Sequence, residues 1–338
     1  MSGSRKLVVV GGLPEPIGGV TNFLLRLTAS GQIHSIVDIY PNKNKLVPKD
    51  FDGKIWFLRS KLRLVLKFFG LSSWFSGNDV FFNFSKSRSL IFFLVLPKRR
   101  SRFFLMLHHG DLSSGKFRWI YRFAISRIDR VYCISEKQYD FYIGIGVAER
   151  NIIKCKSYLP PRNQLSFCLD QRLQKIDNFF QGKRVIVCSG YPSPLYNHKW
   201  CINFVKEHPD WSLAVFLYGD GNDFDDILRL SDALPNVLCF YNFNQFEFNY
   251  ALAKAAVYFR PTVEDSFGVA VADAVTLGIP ALASNICERY PGTYLFSPSD
   301  YRSFERDALN FLRGKGVRAC GDTRNFQFSF EINAKGKK

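Results

Sequence analysis

The chain has 338 residues, a net charge of +17 and 47% apolar residues, with 34 Phe among them. Such a length fits two domains of ordinary size, and with no uninterrupted apolar run of about 18 residues a spanning helix is not expected. The eight Cys are scattered singly without a CxxC pair, which argues against a disulfide frame or a zinc site and for reduced thiols in a cytoplasmic protein. MSGSRKLVVVGG is too short an apolar opening for a signal peptide. Charge is unevenly placed: residues 1–165 hold 27 Lys+Arg against 10 Asp+Glu, and residues 166–338 hold 19 of each. The first half therefore calls for an anionic partner, whether membrane lipid, nucleic acid or a phosphorylated acceptor.

KLVVVGG (6–12) reads as a buried first strand, Gly18-Gly19 as a tight turn, and residues 20–29 as an amphipathic helix. A glycine turn between strand and helix faces a phosphate or sugar in some proteins and is purely structural in many. Pro14 and Pro16 interrupt any dinucleotide GxGxxG pattern. HSIVDIYP (34–41) predicts the second strand. Residues 54–75 set Lys61, Arg63 and Lys67 among leucines and phenylalanines, a pattern that fits an interfacial helix with snorkelling lysines or a core helix with charged edges. DVFFNF (79–84) and LIFFLVLP (90–97) read as strands, and PKRRSR (97–102) as a basic loop suited to lipid phosphates. FFLMLHHG places His108 and His109 at the carboxyl end of a further strand, where α/β sheets carry ligand groups. Residues 116–130 form a second basic aromatic helix, and RVYCISE (130–136) another strand.

A linker from Pro160 leads to RVIVCSG (184–190), which restarts a doubly wound pattern. Strands follow at 211–223, ending in Gly219-Asp220-Gly221, and at 236–243. A short apolar run, 255–259, then meets Pro261-Thr262, and a helix is expected from about Phe267 to Leu277, with Ser266 as its cap. Gly278 and Pro280 end that helix before ALAS begins a strand. Free amides at Phe267, Gly268 and Val269 would face an anion, and Gly268 permits close approach. Asp265 and Asp273 frame the corner, either as two acceptors for sugar hydroxyls or as one helix cap and one solvated helical carboxylate.

The corner resembles the nucleotide-sugar site of retaining glycosyltransferases of the GT-B fold, family 4, which carry acid, seven residues, acid around a Phe-Gly, and then Gly-x-Pro. Here the acids are Asp265 and Asp273, both shorter than the family's Glu, and Gly278 and Pro280 fit its tail. The resemblance covers most of the chain and implies an α/β GT-B architecture of two Rossmann-like, doubly wound domains facing across a cleft. Residues 1–165 would bind the acceptor and a membrane, and residues 166–338 the nucleotide sugar, with a closing helix at 324–331. It implies that Gly18 and Gly19 line the cleft near the donor phosphates and the acceptor, that His109 lies near the transferred sugar, and that Gly190 and Lys199 serve the donor diphosphate. Tyr191 stands where the family has a phosphate-binding Arg, and Arg260 is a candidate to compensate.

The expected activity is a metal-independent, retaining hexosyl transfer from a nucleotide diphosphate sugar, with no cofactor. Asp265, His109 and Lys199 would be catalytic, and Gly18, Gly19, Gly190, Tyr191, Ser266, Phe267, Gly268, Val269 and Asp273 would bind substrate. The acceptor would be lipid-linked or an oligosaccharide, on the inner face of an anionic cytoplasmic membrane, in bacterial surface polysaccharide synthesis such as O-antigen, capsule or core. The alternative is a basic α/β nucleic-acid-binding module, although no nucleic-acid motif is present. A nucleotide-sugar epimerase would need a dinucleotide turn and a Tyr-x-x-x-Lys pair, and neither occurs.

Overall fold

A computed structural model describes residues 5–14, 19–41, 51–60, 62–64, 66, 76–98, 100–109, 112, 118–161, 171–265, 267–323 and 328. The chain divides into two compact units, Met1–Leu159 with Asn325–Lys338, and Pro160–Arg324. Gly18, Gly110, Arg99, Ser266, most of 61–75 and the closing segment 324–331 apart from Phe328 lie outside the described residues.

In the first unit the strands are β1 (Leu7–Gly11), β2 (Ile33–Asp38), β3 (Lys54–Phe57), β4 (Asp79–Phe84), β5 (Arg102–Leu107), β6 (Arg130–Cys133) and β7 (Ile152–Lys154). They pair in parallel in the order β3-β2-β1-β4-β5-β6-β7. The apolar run of β1 is explained by cover on both faces: Val8 and Val10 enter one cluster, Leu7 and Val9 the other. Phe328 is buried in the second cluster, edge-on to Phe23 and tilted against Tyr132.

Two expectations in this unit are corrected. Residues 90–97 are not a strand: Ser87–Ile91 is a 3-10 turn running into the helix Phe92–Val95. Leu90, Phe93 and Leu96 are buried while Ile91 and Val95 are exposed, a spacing of three that only a helix face provides. A bare apolar run does not separate these possibilities. Residues 54–57 begin the expected basic helix in sequence, yet they pair with β2 as edge strand β3; helical geometry appears only at 62–64 and 66 among the described residues.

The second unit repeats the design with β8 (Val185–Gly190), β9 (Ser212–Leu217), β10 (Val237–Tyr241), β11 (Val257–Arg260), β12 (Ala281–Ser284), β13 (Tyr294–Phe296) and β14 (Val317–Arg318). Their order is β10-β9-β8-β11-β12-β13-β14, all parallel except the last pair. Leu213, Val215 and Leu217 of β9 face one core cluster, and Ala214 and Phe216 the other. Helix starts are fixed by side chains: Asn244 and Glu247 close a capping box on the helix Gln245–Lys254, and Asp300 with Ser303 does so on Tyr301–Leu312. In each unit the strand order reverses beside the first strand, at β1/β4 and at β8/β11. Ligands of doubly wound sheets bind outside the carboxyl ends of strands at such switch points. Among the described residues no helix is long and apolar enough to cross a membrane.

Candidate functional site

The β8/β11 switch point is closed by Arg260, the last residue of β11. Its Nη1 donates to the Ser189 carbonyl on β8 (2.8 Å), and its guanidinium lies over the Tyr196 ring at 4.7 Å. Two further bonds tie the loop after β8 to the loop after β11: Asn197 Nδ2 donates to Pro261 O (2.8 Å), and Val263 N to Leu195 O (2.9 Å). Asn197 adopts a left-handed backbone (φ 49°) at the start of the helix His198–Glu207, a conformation Asn tolerates better than most residues.

Asp265 is nearly buried and holds two cations on one oxygen. Arg289 Nη1 donates to Oδ2 at 2.8 Å and Arg260 Nε at 3.2 Å. Burial alone would raise this carboxyl's pKa; Arg260 and Arg289 outweigh it and hold the value below the ordinary carboxylate range. Arg260 is desolvated too, yet Asp265 and the flanking tyrosines keep its pKa above normal, so its charge is fixed. Arg289 is fully enclosed and also donates to Ser284 O, Ser284 Oγ, Thr262 Oγ1 and Phe267 O. The cluster of two arginines and one aspartate retains one net positive charge beneath the corner.

The helix begins one to two residues later than expected. It spans Val269–Thr276 with Gly268 as its cap at φ 79°. Val271 N and Ala272 N already bond Gly268 O, so Val269 and Ala270, rather than Phe267 and Gly268, carry the leading amides. Gly268 is required twice over. Its φ suits glycine, and a Cβ there would sit 2.4 Å from Arg289 Nη1 and 3.1 Å from Asp265 Oδ2.

Asp273 departs from expectation: its side chain is 0% exposed, with Gln245 Nε2 at 3.5 Å from Oδ2. Of the two readings of this residue, the burial excludes the solvated helical carboxylate. Lys199 bonds both Asp223 and Asp226 at 2.9 Å; Asp226 and Asp223 raise its pKa, and together they neutralise its charge. Gly190 is needed for packing, since a Cβ would meet the Tyr196 ring at 2.0 Å. Tyr191 is exposed and lies against Gly219, whose φ is 61°. His198 accounts for a buried neighbour pair: Nε2 meets Tyr191 O at 3.2 Å and Nδ1 meets Cys188 Sγ at 3.6 Å. Nε2–H then donates to the carbonyl and Nδ1 accepts the thiol, which burial keeps protonated.

At the β1/β4 switch point of the first unit, Gly19 opens the helix Gly19–Thr28. Asn83 Nδ2 donates to Val20 O (3.0 Å), which turns its Oδ1 toward His108 Nε2 at 2.5 Å. That oxygen only accepts, so His108 donates from Nε2. Desolvation lowers its pKa to about 3 and keeps the ring neutral. Phe23 packs edge-on against it at 4.8 Å. His109 is the exposed member of the pair, and its carbonyl accepts from Gln138 Nε2 at 2.8 Å. Among the described residues, potential metal ligands converge at Glu207, His208 and Glu305, where Arg302 already bonds both glutamates.

No protein-family model matches the sequence, and no curated protein matches it. Solved structures do. Alr3699/HepE of Anabaena, in complex with UDP, aligns with a TM-score of 0.63 at 11% identity over 92% of this chain and 91% of that one. The catalytic domain of starch synthase IV from Arabidopsis thaliana, bound to ADP and acarbose, gives 0.64 at 10% identity over 92% of each chain. Sucrose-phosphate synthase of Thermosynechococcus elongatus gives 0.60 at 14% identity over 91% of this chain and 90% of that one. These neighbours are GT-B glycosyltransferases, and the chain has the GT-B fold.

Proposed function

We propose that the protein is a retaining glycosyltransferase that moves a hexose-type sugar from a nucleotide diphosphate sugar to a lipid-linked or saccharide acceptor. The observation that carries this reading is the corner at the β8/β11 switch point. The cluster of Arg260, Arg289 and Asp265, with one net positive charge, lies against Gly268, the cap of the helix whose leading amides are Val269 and Ala270. The solved complexes of Alr3699/HepE with UDP-glucose and of starch synthase IV with ADP support a nucleotide-sugar donor.

In this scheme the diphosphate lies against the helix start. As the anomeric carbon–oxygen bond breaks, negative charge grows on the departing phosphate. The fixed positive field of Arg260 and the Val269 and Ala270 amides stabilise that charge more than the ground state. The acceptor hydroxyl bonds to the anomeric carbon from the same face, and its proton passes to the leaving phosphate oxygen. The scheme includes no metal and no carboxylate nucleophile. Asp265 acts through Arg260 and Arg289, holding both guanidiniums in register. Arg260 takes the part of the phosphate-binding Arg that Tyr191 displaces. His109, exposed at the end of β5, remains the group for the sugar in the first unit. The positive charge of residues 1–165 fits an acceptor on an anionic inner-membrane surface, as in bacterial surface polysaccharide assembly.

The test is turnover: the purified chain, given a panel of nucleotide diphosphate sugars and a lipid-linked saccharide acceptor, should release nucleoside diphosphate and give a product with the donor's anomeric configuration. Inverted product would refute retention, and no release with any donor would refute the transferase reading.

A further inference from the structure

Two short helical elements of the first unit lie side by side and turn apolar side chains outward. The helix Arg118–Ile125 buries Tyr121, Ala124 and Ile125, while Trp119 (71% exposed) and Phe123 (61%) project from the opposite face one turn apart. Ser87–Val95 buries Leu90 and Phe93 and leaves Ile91 (49%) and Val95 (48%) outward at the same spacing. The two elements pack together. Arg127, just past the first, clamps the second by donating to Leu94 O (3.1 Å) and Leu96 O (2.7 Å).

The same two elements are cationic, although Arg118 also donates from Nε to Gly144 O (2.8 Å). Arg88, Arg118 and Arg122 are exposed on the same two elements, and Arg100 follows close behind. Neither element contains an acidic residue. Asp129 beside them is paired with Lys98 at 2.8 Å. Exposed large apolar side chains are ordinary when scattered singly; four on adjoining helical faces mark a contact surface.

We infer that this face, Trp119, Phe123, Ile91 and Val95 with Arg88, Arg118 and Arg122, docks the protein on an anionic lipid bilayer. It adds a location to the membrane part of the proposed function and rests on that part alone. The chemistry matches in layers: aromatic and aliphatic tips enter the boundary of the acyl region while guanidiniums meet lipid phosphates. A second copy of the chain fits poorly, because a two-fold contact through this face would set the same arginines against each other. Nucleic acid fits less well, since Trp119 and Phe123 offer rings for stacking but Ile91 and Val95, half of the apolar tips, do not. This face lies outside the 54–75 stretch that its sequence pattern singled out.

The experiment is vesicle co-sedimentation of the full chain, without donor or acceptor, on phosphatidylcholine vesicles with and without phosphatidylglycerol. Wild type should bind the anionic vesicles, with binding weakened by salt. Trp119→Ser/Phe123→Ser should lose about tenfold or more of that affinity with its melting temperature unchanged, as expected when two interfacial anchors are removed. Arg88→Gln/Arg122→Gln should lose the salt-sensitive part. Unchanged binding by the Trp119/Phe123 variant overturns the inference. So does equal binding to neutral vesicles, a dimeric wild type that these substitutions make monomeric, or retention on nucleic acid in place of vesicles. Nucleotide-sugar binding measured on the same variants keeps the two readings apart: intact donor affinity with no vesicle binding refutes only the docking face.

Discussion

Oδ2 of Asp265 accepts from Arg289 at 2.8 Å and from Arg260 at 3.2 Å, so one carboxylate oxygen holds two enclosed guanidiniums. Asp265→Ala would leave both cations enclosed with neutral acceptors only and no counter-charge. Losing one member of a buried pair costs about 3–5 kcal/mol, and chemical denaturation should read a loss of that size. The depressed carboxyl pKa adds a pH dependence. Its contribution is fully present above the unfolded value of 3.8 and is lost as pH falls through the lower native value. Acid titration of stability in Asp265→Asn should lack this component.

Arg260 and Lys199 make opposite forecasts. Lys199 is already neutralised by Asp223 and Asp226, so Lys199→Met should change kcat/KM for the donor by less than about tenfold, comparable with the loss of an exposed pair. Arg260→Met should lower kcat by about 10²–10³, the range seen when one stabiliser of developing charge is removed. Steady-state kinetics of both variants decide between them.

Gly268→Ala should destabilise the fold by at least about 1–2 kcal/mol for the left-handed backbone alone. The added methyl must also displace Arg289 Nη1, which would lie 2.4 Å from it. Thermal melts measure this loss. If Gly268 served ligand approach only, stability would be unaffected and donor affinity alone would fall.

Asp273→Asn should lower the melting temperature while leaving the donor KM within a few-fold of wild type, because the carboxylate has no exposed surface. A selective loss of donor affinity at unchanged stability would restore the ribose role to this residue.

His108, its pKa lowered to about 3 from 6.5, binds its proton more readily when unfolded. The stability it contributes is whole above pH 6.5 and declines as pH falls toward 3. Replacing it with Asn should flatten the stability profile across that interval, measured by denaturant titration at each pH.

Much of the architecture was legible because parallel strands covered on both faces read as short apolar runs; LVVVG and VIVCSG mark the first strand of each sheet. The corner at 260–268 was legible from Phe267-Gly268 and the Gly278-x-Pro280 stop. Arg289 was not: it lies 24 residues beyond Asp265 in the chain, and nothing in its neighbourhood, ICERY, distinguishes a buried clamp from a solvated arginine. The burial of Asp273 was not legible because helical spacing does not report which face a neighbouring helix covers. The run LIFFLVLP misled because length and hydrophobicity alone fit a buried strand and a helix equally. The excess charge of residues 1–165 and the basic aromatic helix at 116–130 were plain in the sequence, but the packing of that helix beside Ile91 and Val95 was not, because 90–97 read as a strand.

The central claim is that the Arg260–Asp265 corner receives a nucleotide diphosphate sugar. Melting temperature across a panel of such donors tests it most directly, since a ligand bound only by the native state raises apparent stability. At least one donor should raise the wild-type transition in a concentration-dependent way and leave Arg260→Met nearly unmoved. A panel that shifts neither protein, or shifts both alike, would contradict it.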